Sequence, residues 1–201
     1  MKVRLYVEGG GSHDQTQRIC RQSFHVFLGK VLGDRSKPKI VASGSRDVAY
    51  KDFRRSLNDE DVVSLLLVDS EDPVQVGKTV AAHLLQRDGW KELPDGQVHL
   101  MVQCMEAWFL ADKEALQDYY GPEFKAGSLP TNPKIEGIAK HDVIDGLRAA
   151  TRENEYHKTK HAFDILQCID PAKVKEASPF AKSFFEALVK HCDPTRNAHE
   201  S

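Results

Sequence analysis

The sequence predicts an α/β protein with a mostly parallel sheet that carries helices on both faces. Strand patterns and helix patterns alternate four times over about the first 120 residues, which is typical of a doubly wound sheet. The clearest strand, at 62–68, is apolar throughout, as expected of a central parallel strand covered on both faces. Right-handed crossovers place the loops after the strands at one edge, where such sheets bind ligands.

Each predicted strand runs into a turn and then a helix. The first strand, VRLYV, ends at Glu8 and three glycines, which form a turn signal. Apolar residues then recur at helical spacing up to Leu32. Trp108 and Phe109 are predicted to pack the helix after the fourth strand on the sheet. The predicted strands are 3–7, 40–42, 62–68 and 99–104, and the predicted helices are 14–32, 47–57, 74–85 and one that begins at 106.

The second part of the chain has a different character. Three prolines punctuate a loop after Gly121, and the rest reads as helical up to a polar tail that we expect to fray after Asp193. Pro171 and Pro179 each suit the first turn of a helix. We therefore divide the chain into an α/β domain at 1–120 and a helical extension at 121–201 that caps it. The predicted helices of this part are 135–150, 161–169, 171–174 and 179–192.

Composition narrows the class of protein. Hydrophobic residues make up 40% of the 201 residues and charged residues 29%, which is ordinary for a globular chain. The formal net charge of -2 means that any contact with nucleic acid uses a local patch. The N-terminus does not resemble a signal peptide, and no apolar run approaches the ~20 residues that span a bilayer. Four scattered cysteines indicate reduced thiols. We predict a cytoplasmic protein without membrane contact.

Carboxylates follow the first and third strands. Glu8 closes the first strand, and Asp69, Glu71 and Asp72 close the third. If these strands are neighbours, the acids converge, and crowded carboxylates repel one another unless a cation neutralises them. An all-oxygen set suits Mg²⁺ or Mn²⁺. The alternative is that these acids only cap helices and solvate a loop, although Glu is a poorer cap than Ser, Thr, Asn or Asp.

Two further features at the same edge suit a phosphate. Gly9 and Gly10 let a phosphate approach the backbone near the start of the first helix. Arg46 follows the second strand, so it lies at the same edge of the predicted sheet. It is equally suited to bind a phosphate or to form a structural salt bridge.

The segments VEGGGS and LLLVDSED resemble the two signatures of the Toprim fold, a glutamate with glycine after the first strand and an acidic motif after the third. Over nearly its full length the chain is similar to a family of small bacterial Toprim-like proteins of unknown function, which share stretches like VDSEDPV, MVQCMEAWFLAD and YHKTKHAFDILQCIDP in this order. The resemblance implies a Toprim/Rossmann-like sheet and metal-dependent cleavage of nucleic acid. It also implies association with a partner ATPase in anti-phage defence or mobile-element loci.

The resemblance assigns roles to particular residues. Glu8 matches the Toprim glutamate, a general acid/base or metal-activating group, and Asp69 matches the first acid of the second signature, a metal ligand. Glu71 stands where that signature usually has aspartate, and this departure puts catalytic competence in doubt. Asp72 is an extra acid that can substitute for it. Glu106 completes the cluster if the fourth strand borders the site.

A basic cluster with one aromatic residue suits contact with a nucleic-acid backbone. Its members are Tyr156, His157, Lys158, Lys160 and His161. Tyr156 and Lys158 belong to this cluster and to a stretch shared with the Toprim-like family. The alternative is that the cluster is only the charged start of a helix.

The leading hypothesis is therefore a Toprim-like, Mg²⁺- or Mn²⁺-dependent nuclease. The first alternative is a non-catalytic partner or effector of an ATPase that binds metal or nucleotide without turnover. The second is a small-molecule phosphatase or phosphotransferase of Rossmann-like architecture. The sequence leaves open whether the substrate is DNA, RNA or smaller, and a homo-oligomer is compatible with a chain of this size.

Overall fold

The fold is built on one four-stranded sheet. A computed structural model describes residues 2–151 and 156–193, apart from the side chain of Thr159. All strand pairs are parallel, and the strand order is β2-β1-β3-β4. The strands are β1 (Lys2–Val7), β2 (Lys39–Ala42), β3 (Val62–Asp69) and β4 (Val98–Met101). The predicted parallel α/β sheet is confirmed, and so is the pairing of the first strand with the third.

Eight α-helices surround this sheet in the described residues. A 3₁₀ helix at Met105–Ala111 follows β4, and two shorter 3₁₀ turns precede α5. The α-helices are α1 (Asp14–Leu32), α2 (Arg46–Ser56), α3 (Val80–Asp88), α4 (Lys113–Tyr120), α5 (Lys140–Ala150), α6 (Lys158–Cys168), α7 (Pro171–Ala177) and α8 (Pro179–Cys192).

The central strand β3 is covered on both faces. Leu65 and Leu67 belong to the larger hydrophobic core, which α1 and the C-terminal helices complete. Leu66 and Val68 belong to a second core beneath α2 and α3. Alternate residues of a strand point to opposite faces, so a strand buried on both sides is apolar throughout. This explains the uninterrupted apolar run that predicted the strand.

The C-terminal helices share the larger core with the α/β part. Phe27 of α1 stacks on Trp108, with ring centroids 5.6 Å apart, and Phe185 of α8 packs edge-on against Phe27 at 5.9 Å. Lys30 of α1 donates to three carbonyl oxygens at the end of α6, the nearest at 2.7 Å. The segment after residue 120 is therefore a cap on the sheet, and Trp108 packs as predicted.

Several predicted boundaries were wrong. The third helix begins at Val80 and not at residue 74, because Gly77 adopts a left-handed φ of 82° and Thr79 caps the helix through its side-chain oxygen. Strand β4 ends at Met101, and the segment predicted to start a helix at residue 106 is 3₁₀ up to Ala111. The predicted helix at 135–150 is likewise divided, with α5 starting at Lys140.

Three other predictions concern the chain as a whole. Among the described residues, no helix is both long enough and apolar enough to cross a membrane. All four cysteines are free thiols, and all except the exposed Cys168 are buried. The polar tail that was predicted to fray lies outside the described residues.

Candidate metal centre

Three carboxylates converge at the carboxyl edge of the sheet. Val7 is paired with Leu67, so the chain leaving β1 at Glu8 lies beside the end of β3. Glu8, Asp69 and Glu71 each offer an oxygen, and these oxygens all lie within 4.8 Å of one another. The convergence predicted from strand order is present in the fold.

Backbone contacts fix two of these acids. Asp69 is almost fully buried, and its Oδ1 accepts a hydrogen bond of 2.8 Å from the backbone N–H of Met105. The backbone N–H of Asp69 in turn donates to Oε2 of Glu8 at 3.2 Å. Each of these acids therefore still has an oxygen that does not contact the backbone.

Glu71 takes an unusual backbone conformation at the same edge. Its φ is 65°, in the left-handed region that non-glycine residues rarely adopt. Its N–H donates to the carbonyl oxygen of Gln103 at 2.9 Å, which ties this turn to the chain beyond β4. Such strain persists only where the surrounding structure holds it, and it is common at functional sites.

Arg46 lies at this edge, as predicted, but its guanidinium is already engaged. It pairs with Glu8 at 3.4 Å and Asp88 at 2.7 Å, and it also donates to the backbone carbonyl of Asp69. The guanidinium sits over the ring of Trp90, 5.1 Å from its centroid. The salt bridge that the sequence left open is therefore present, and a phosphate contact by Arg46 stays a prediction.

Lys140, at the start of α5, is a cation in this cluster that the sequence did not point to. Its Nζ lies 2.6 Å from Oε2 of Glu71 and 3.6 Å from Oδ2 of Asp69. Lys140 is far from both acids along the chain and lies in no recognised motif, so only the folded structure identifies it.

Glu106 is a fourth acid, close enough to Asp69 for its charge to act on that carboxylate. Its side chain is fully buried, with 0% exposure. Tyr156 donates its hydroxyl to Oε1 of Glu106 at 3.1 Å, and the Lys158 ammonium lies 3.4 Å from the same oxygen. The other oxygen, Oε2, has no hydrogen-bond partner among the described residues. A buried carboxylate oxygen without a partner is unfavourable, and a water molecule or a cation at this position would satisfy it.

The predicted basic cluster lies only partly at the surface. Tyr156 is buried, so its ring is not presented to a bound strand. Lys158 remains partly exposed beside Glu106. Both residues contact Oε1 of Glu106, and of the two only Lys158 is exposed enough to reach a ligand.

Asp72 is not brought into the cluster. Its side chain is 66% exposed and pairs with Arg87 at 2.9 Å. The reversal of direction at Glu71, with its left-handed φ, separates the two neighbouring acids. Asp72 was a candidate metal ligand, and the fold instead places its side chain on the exposed surface.

The clustering changes the acidity of its members. Burial raises the pKa of Asp69 well above the ordinary range, and the negative charges of Glu8 and Glu106 raise it further. Burial also raises the pKa of Glu8, although the Arg46 charge opposes this and the Glu71 charge adds to it. Repulsion of this kind is relieved by a cation.

The pKa values of the two nearby ammonium groups are also raised, which for a lysine favours the charged form. Burial lowers the pKa of Lys140, but its hydrogen bond to Glu71 and the charge of Asp69 outweigh that effect and raise it. Burial likewise lowers the pKa of Lys158, and attraction to Glu106 and Asp69 raises it above the ordinary range. Both lysines are therefore charged at neutral pH.

The cluster opens into a cleft of about 680 Å³. Gly9 and Gly10 line it, together with His13 and Thr16 at the start of α1. A side chain at Gly10 would place its Cβ 2.7 Å from the Cα of Gln17, so this turn requires glycine. His13, the residue before α1, makes no side-chain cap, which leaves backbone N–H groups of the first turn available to an anion.

The residues present fit a hard divalent cation. Three carboxylates with mutually close oxygens form a hard donor set, and Mg²⁺ prefers one or two carboxylates with water or phosphate completing the shell. Glu106, which has the partnerless oxygen, also lines the cleft. Glu8, Asp69 and Glu71 would hold the ion, with Glu106 as a further oxygen beside Asp69.

Fold and site together define the class: a parallel α/β protein with a carboxylate cluster, suited to a divalent cation, at the carboxyl edge of its sheet. The chain belongs to the family described as a domain of unknown function (DUF4276), whose profile matches residues 7–189. Neither the curated proteins nor the solved structures gave a significant match. The family description names no activity, so the Toprim resemblance stays a prediction.

Proposed function

We propose that this protein is a Toprim-like enzyme of the cytoplasm that uses Mg²⁺ or Mn²⁺ to hydrolyse phosphodiester bonds of nucleic acid. One observation carries the proposal: oxygens of Glu8, Asp69 and Glu71 lie within 4.8 Å of one another at the carboxyl edge of a parallel sheet. The Toprim resemblance supports the phosphodiester substrate, and anti-phage defence with a partner ATPase follows from the same resemblance.

A divalent ion bound here would polarise a phosphate group and favour the hydroxide form of a water molecule. Proton transfer and phosphate binding would fall to the protein's own side chains and backbone groups. Glu8 is positioned by Arg46 and has a raised pKa, which suits a group that accepts a proton from water. The N–H groups at the start of α1 and the Lys158 ammonium would donate to a phosphate bound in the cleft.

The test is a cleavage assay with purified protein on DNA and RNA substrates, single-stranded and duplex, with Mg²⁺, Mn²⁺ or EDTA. We expect metal-dependent cleavage that falls by about 10²-fold or more in Glu8→Gln and Asp69→Asn, because each change removes a group from the reacting centre. Asp72→Asn is the matched control, since this neighbouring acid lies outside the cluster.

The assay is repeated in the presence of an ATPase if one is encoded beside this chain, because the Toprim resemblance implies such a partner. A protein that binds Mn²⁺ but cuts neither DNA nor RNA, alone or with the partner, contradicts the proposal. Full loss of a biological effect in folded Glu8→Gln and Asp69→Asn variants that still bind the partner argues against a purely non-catalytic role.

A small-molecule phosphatase or phosphotransferase is the second candidate, and the cleft favours it. A volume of about 680 Å³ lies in the range of small-molecule sites. Acids outnumber arginines and lysines along its lining, which weakens the attraction for a long polyanion. Turnover of a generic phosphate ester with Mg²⁺, in the absence of nucleic-acid cleavage, would select this candidate.

A further inference from the structure

Lys140 occupies the point where two of the candidate ligands meet. Its ammonium is 2.6 Å from Oε2 of Glu71 and 3.6 Å from Oδ2 of Asp69. Both acids belong to the group whose oxygens converge within 4.8 Å. The third acid, Glu8, is paired with Arg46 instead. An ammonium therefore already stands against the carboxylates that a metal would bridge.

The fold sets the distance between Lys140 and Glu71 through a third residue. The backbone N–H of Lys140 donates to Oε1 of Gln103 at 3.3 Å, and the carbonyl oxygen of Gln103 accepts from the N–H of Glu71 at 2.9 Å. Gln103 is buried. The backbones of Lys140 and Glu71 are therefore held together, while the flexible side chain of Lys140 is 29% exposed and can turn toward solvent.

The Lys140 ammonium does not pair with every carboxylate oxygen near the cluster. Glu106 lines the same cleft, and its Oε2 is fully buried and has no partner among the described residues. An ammonium donates about three hydrogen bonds, whereas Mg²⁺ takes about six oxygen ligands in octahedral geometry. The set of oxygens around Asp69 is thus larger than one lysine needs.

We propose that Lys140 holds the cation position in the metal-free protein and that a divalent ion binds by displacing its ammonium from Asp69 and Glu71. This inference rests on the proposed function, because it requires a metal at this cluster. Lys140 then determines the apparent metal affinity: the lysine keeps the acids neutralised until the metal concentration is high enough to replace it.

The direct test is lysine acetylation of the full-length wild-type protein by an N-hydroxysuccinimide ester, read by mass spectrometry across a Mg²⁺ titration. We expect acetylation of Lys140 to rise several-fold as Mg²⁺ binds, because its ammonium leaves the two carboxylates. Lys173, which pairs with Asp112 and Glu114 outside the cleft, is the internal control and should not change. Constant or falling acetylation of Lys140 while Mg²⁺ binds overturns the inference.

A matched pair of variants provides a second test. Lys140→Met should tighten Mn²⁺ binding, measured by electron paramagnetic resonance, by about tenfold or more, equivalent to about 1.4 kcal/mol. Lys158→Met removes a charge beside Glu106 but leaves the contact with Glu71 unchanged, so it should tighten binding less. Equal effects of the two changes, or weaker binding in Lys140→Met, contradict displacement. Circular dichroism confirms that both variants are folded.

Failure of the inference and failure of the proposed function look different. If wild type binds Mn²⁺ and loses it in Asp69→Asn, but Lys140 acetylation does not respond, the metal site stands and displacement is wrong. If wild type, Lys140→Met and Lys158→Met all fail to bind Mn²⁺ or Mg²⁺, both the displacement and the proposed metal-dependent function are wrong.

Discussion

The three clustered acids differ in how the structure holds them. Asp69 is buried, bonded to the backbone of Met105 and surrounded by other carboxylates. Glu8 has the Arg46 charge beside it, and Glu71 has the Lys140 ammonium. Burial raises the pKa of Asp69 well above its usual value, although Lys140 lies 3.6 Å away, so the fold disfavours the charged form of this acid. Asp69 is therefore the residue whose replacement should change stability and metal binding together.

Asp69→Asn should stabilise the metal-free protein by about 1 kcal/mol and remove its stabilisation by Mn²⁺. Asparagine can keep the hydrogen bond from Met105 through its carbonyl oxygen while losing the repelled charge. Thermal unfolding with and without Mn²⁺ measures both effects, and the first corresponds to about 2–4 °C in a chain of this length. A variant less stable than wild type in EDTA would show that the charge is compensated in the fold.

The difference in stability between Asp69→Asn and the wild type should depend on pH. The pKa of Asp69 is raised by burial and by Glu8, so protonation stabilises the fold at low pH, and this contribution is lost as the pH rises through the folded-state pKa. The advantage of Asp69→Asn over wild type in EDTA should be smallest near the ordinary aspartate pKa of about 4 and grow toward about pH 7. Urea unfolding at several pH values measures it, and a flat difference would contradict the raised pKa.

Arg46 should act on the site through Glu8 and Asp88. Removing one partner of a largely buried ion pair leaves the other charge unpaired, so Arg46→Met should lower the unfolding free energy by about 2–4 kcal/mol. Urea unfolding gives this value. Arg55→Met is the control, because that arginine pairs with Asp52 on the exposed surface and its loss should change little. Similar effects of the two changes would argue against a positioning role for Arg46.

At the scale of elements, the site is assembled from chain segments that leave the sheet at one edge. The turn from β1 to α1 carries the glycines, the turn after β3 carries Glu71, and the chain after β4 carries Gln103 and Glu106. The start of α5 and the start of α6 bring Lys140 and Lys158 from the C-terminal part. The helical cap therefore contributes both lysines of the site.

The first of these turns should not tolerate a side chain at Gly10. Alanine there would combine a φ of 82° with a Cβ only 2.7 Å from the Cα of Gln17, so Gly10→Ala should weaken Mn²⁺ binding and lower stability by more than about 1 kcal/mol. Gly11→Ala is the matched control, since Gly11 also has a positive φ but nothing lies within 4 Å of its Cβ position. Isothermal titration and thermal unfolding compare them, and equal losses would show that strain alone matters.

At the scale of the whole molecule, the two parts of the chain share one hydrophobic core. The larger core joins residues of the sheet, α1, the 3₁₀ helix at Met105–Ala111 and helices α5 to α8. Phe27 and Trp108 lose a packing partner if Phe185 is absent. Because the parts on either side of residue 120 share this core, we expect them to fold together.

A fragment that ends at residue 120 should fail to fold by itself. Removing the cap exposes apolar residues of α1 and the buried Trp108, and apolar burial contributes about 25 cal/mol per Å². Near-ultraviolet circular dichroism and urea unfolding test this, with the full chain expected to unfold in a single transition. A fragment with a cooperative transition of its own would establish the first part as a domain.

The sequence by itself determined the order of elements and the edge at which the acids lie. The apolar run of β3 and the glycines after Glu8 are local patterns, set by burial on both faces and by turn geometry, so they are readable without contacts. The ends of helices and strands were predicted less accurately from the sequence. The start of α3 depends on the turn at Gly77 and on the Thr79 cap, which compete with a continuous helical pattern.

Only the tertiary structure decided which charged groups meet. Lys140 and Gln103 reach Glu71 through contacts between segments that are distant in sequence, and Asp72, adjacent to Glu71, is turned away from the cluster. Hydrophobic periodicity reports which face of an element is buried, but it does not report which ionic groups the packing of that face brings together. The sequence therefore predicted the acids of the candidate site together with Arg46 and Lys158, whereas only the folded chain identified Lys140 as the cation beside Glu71.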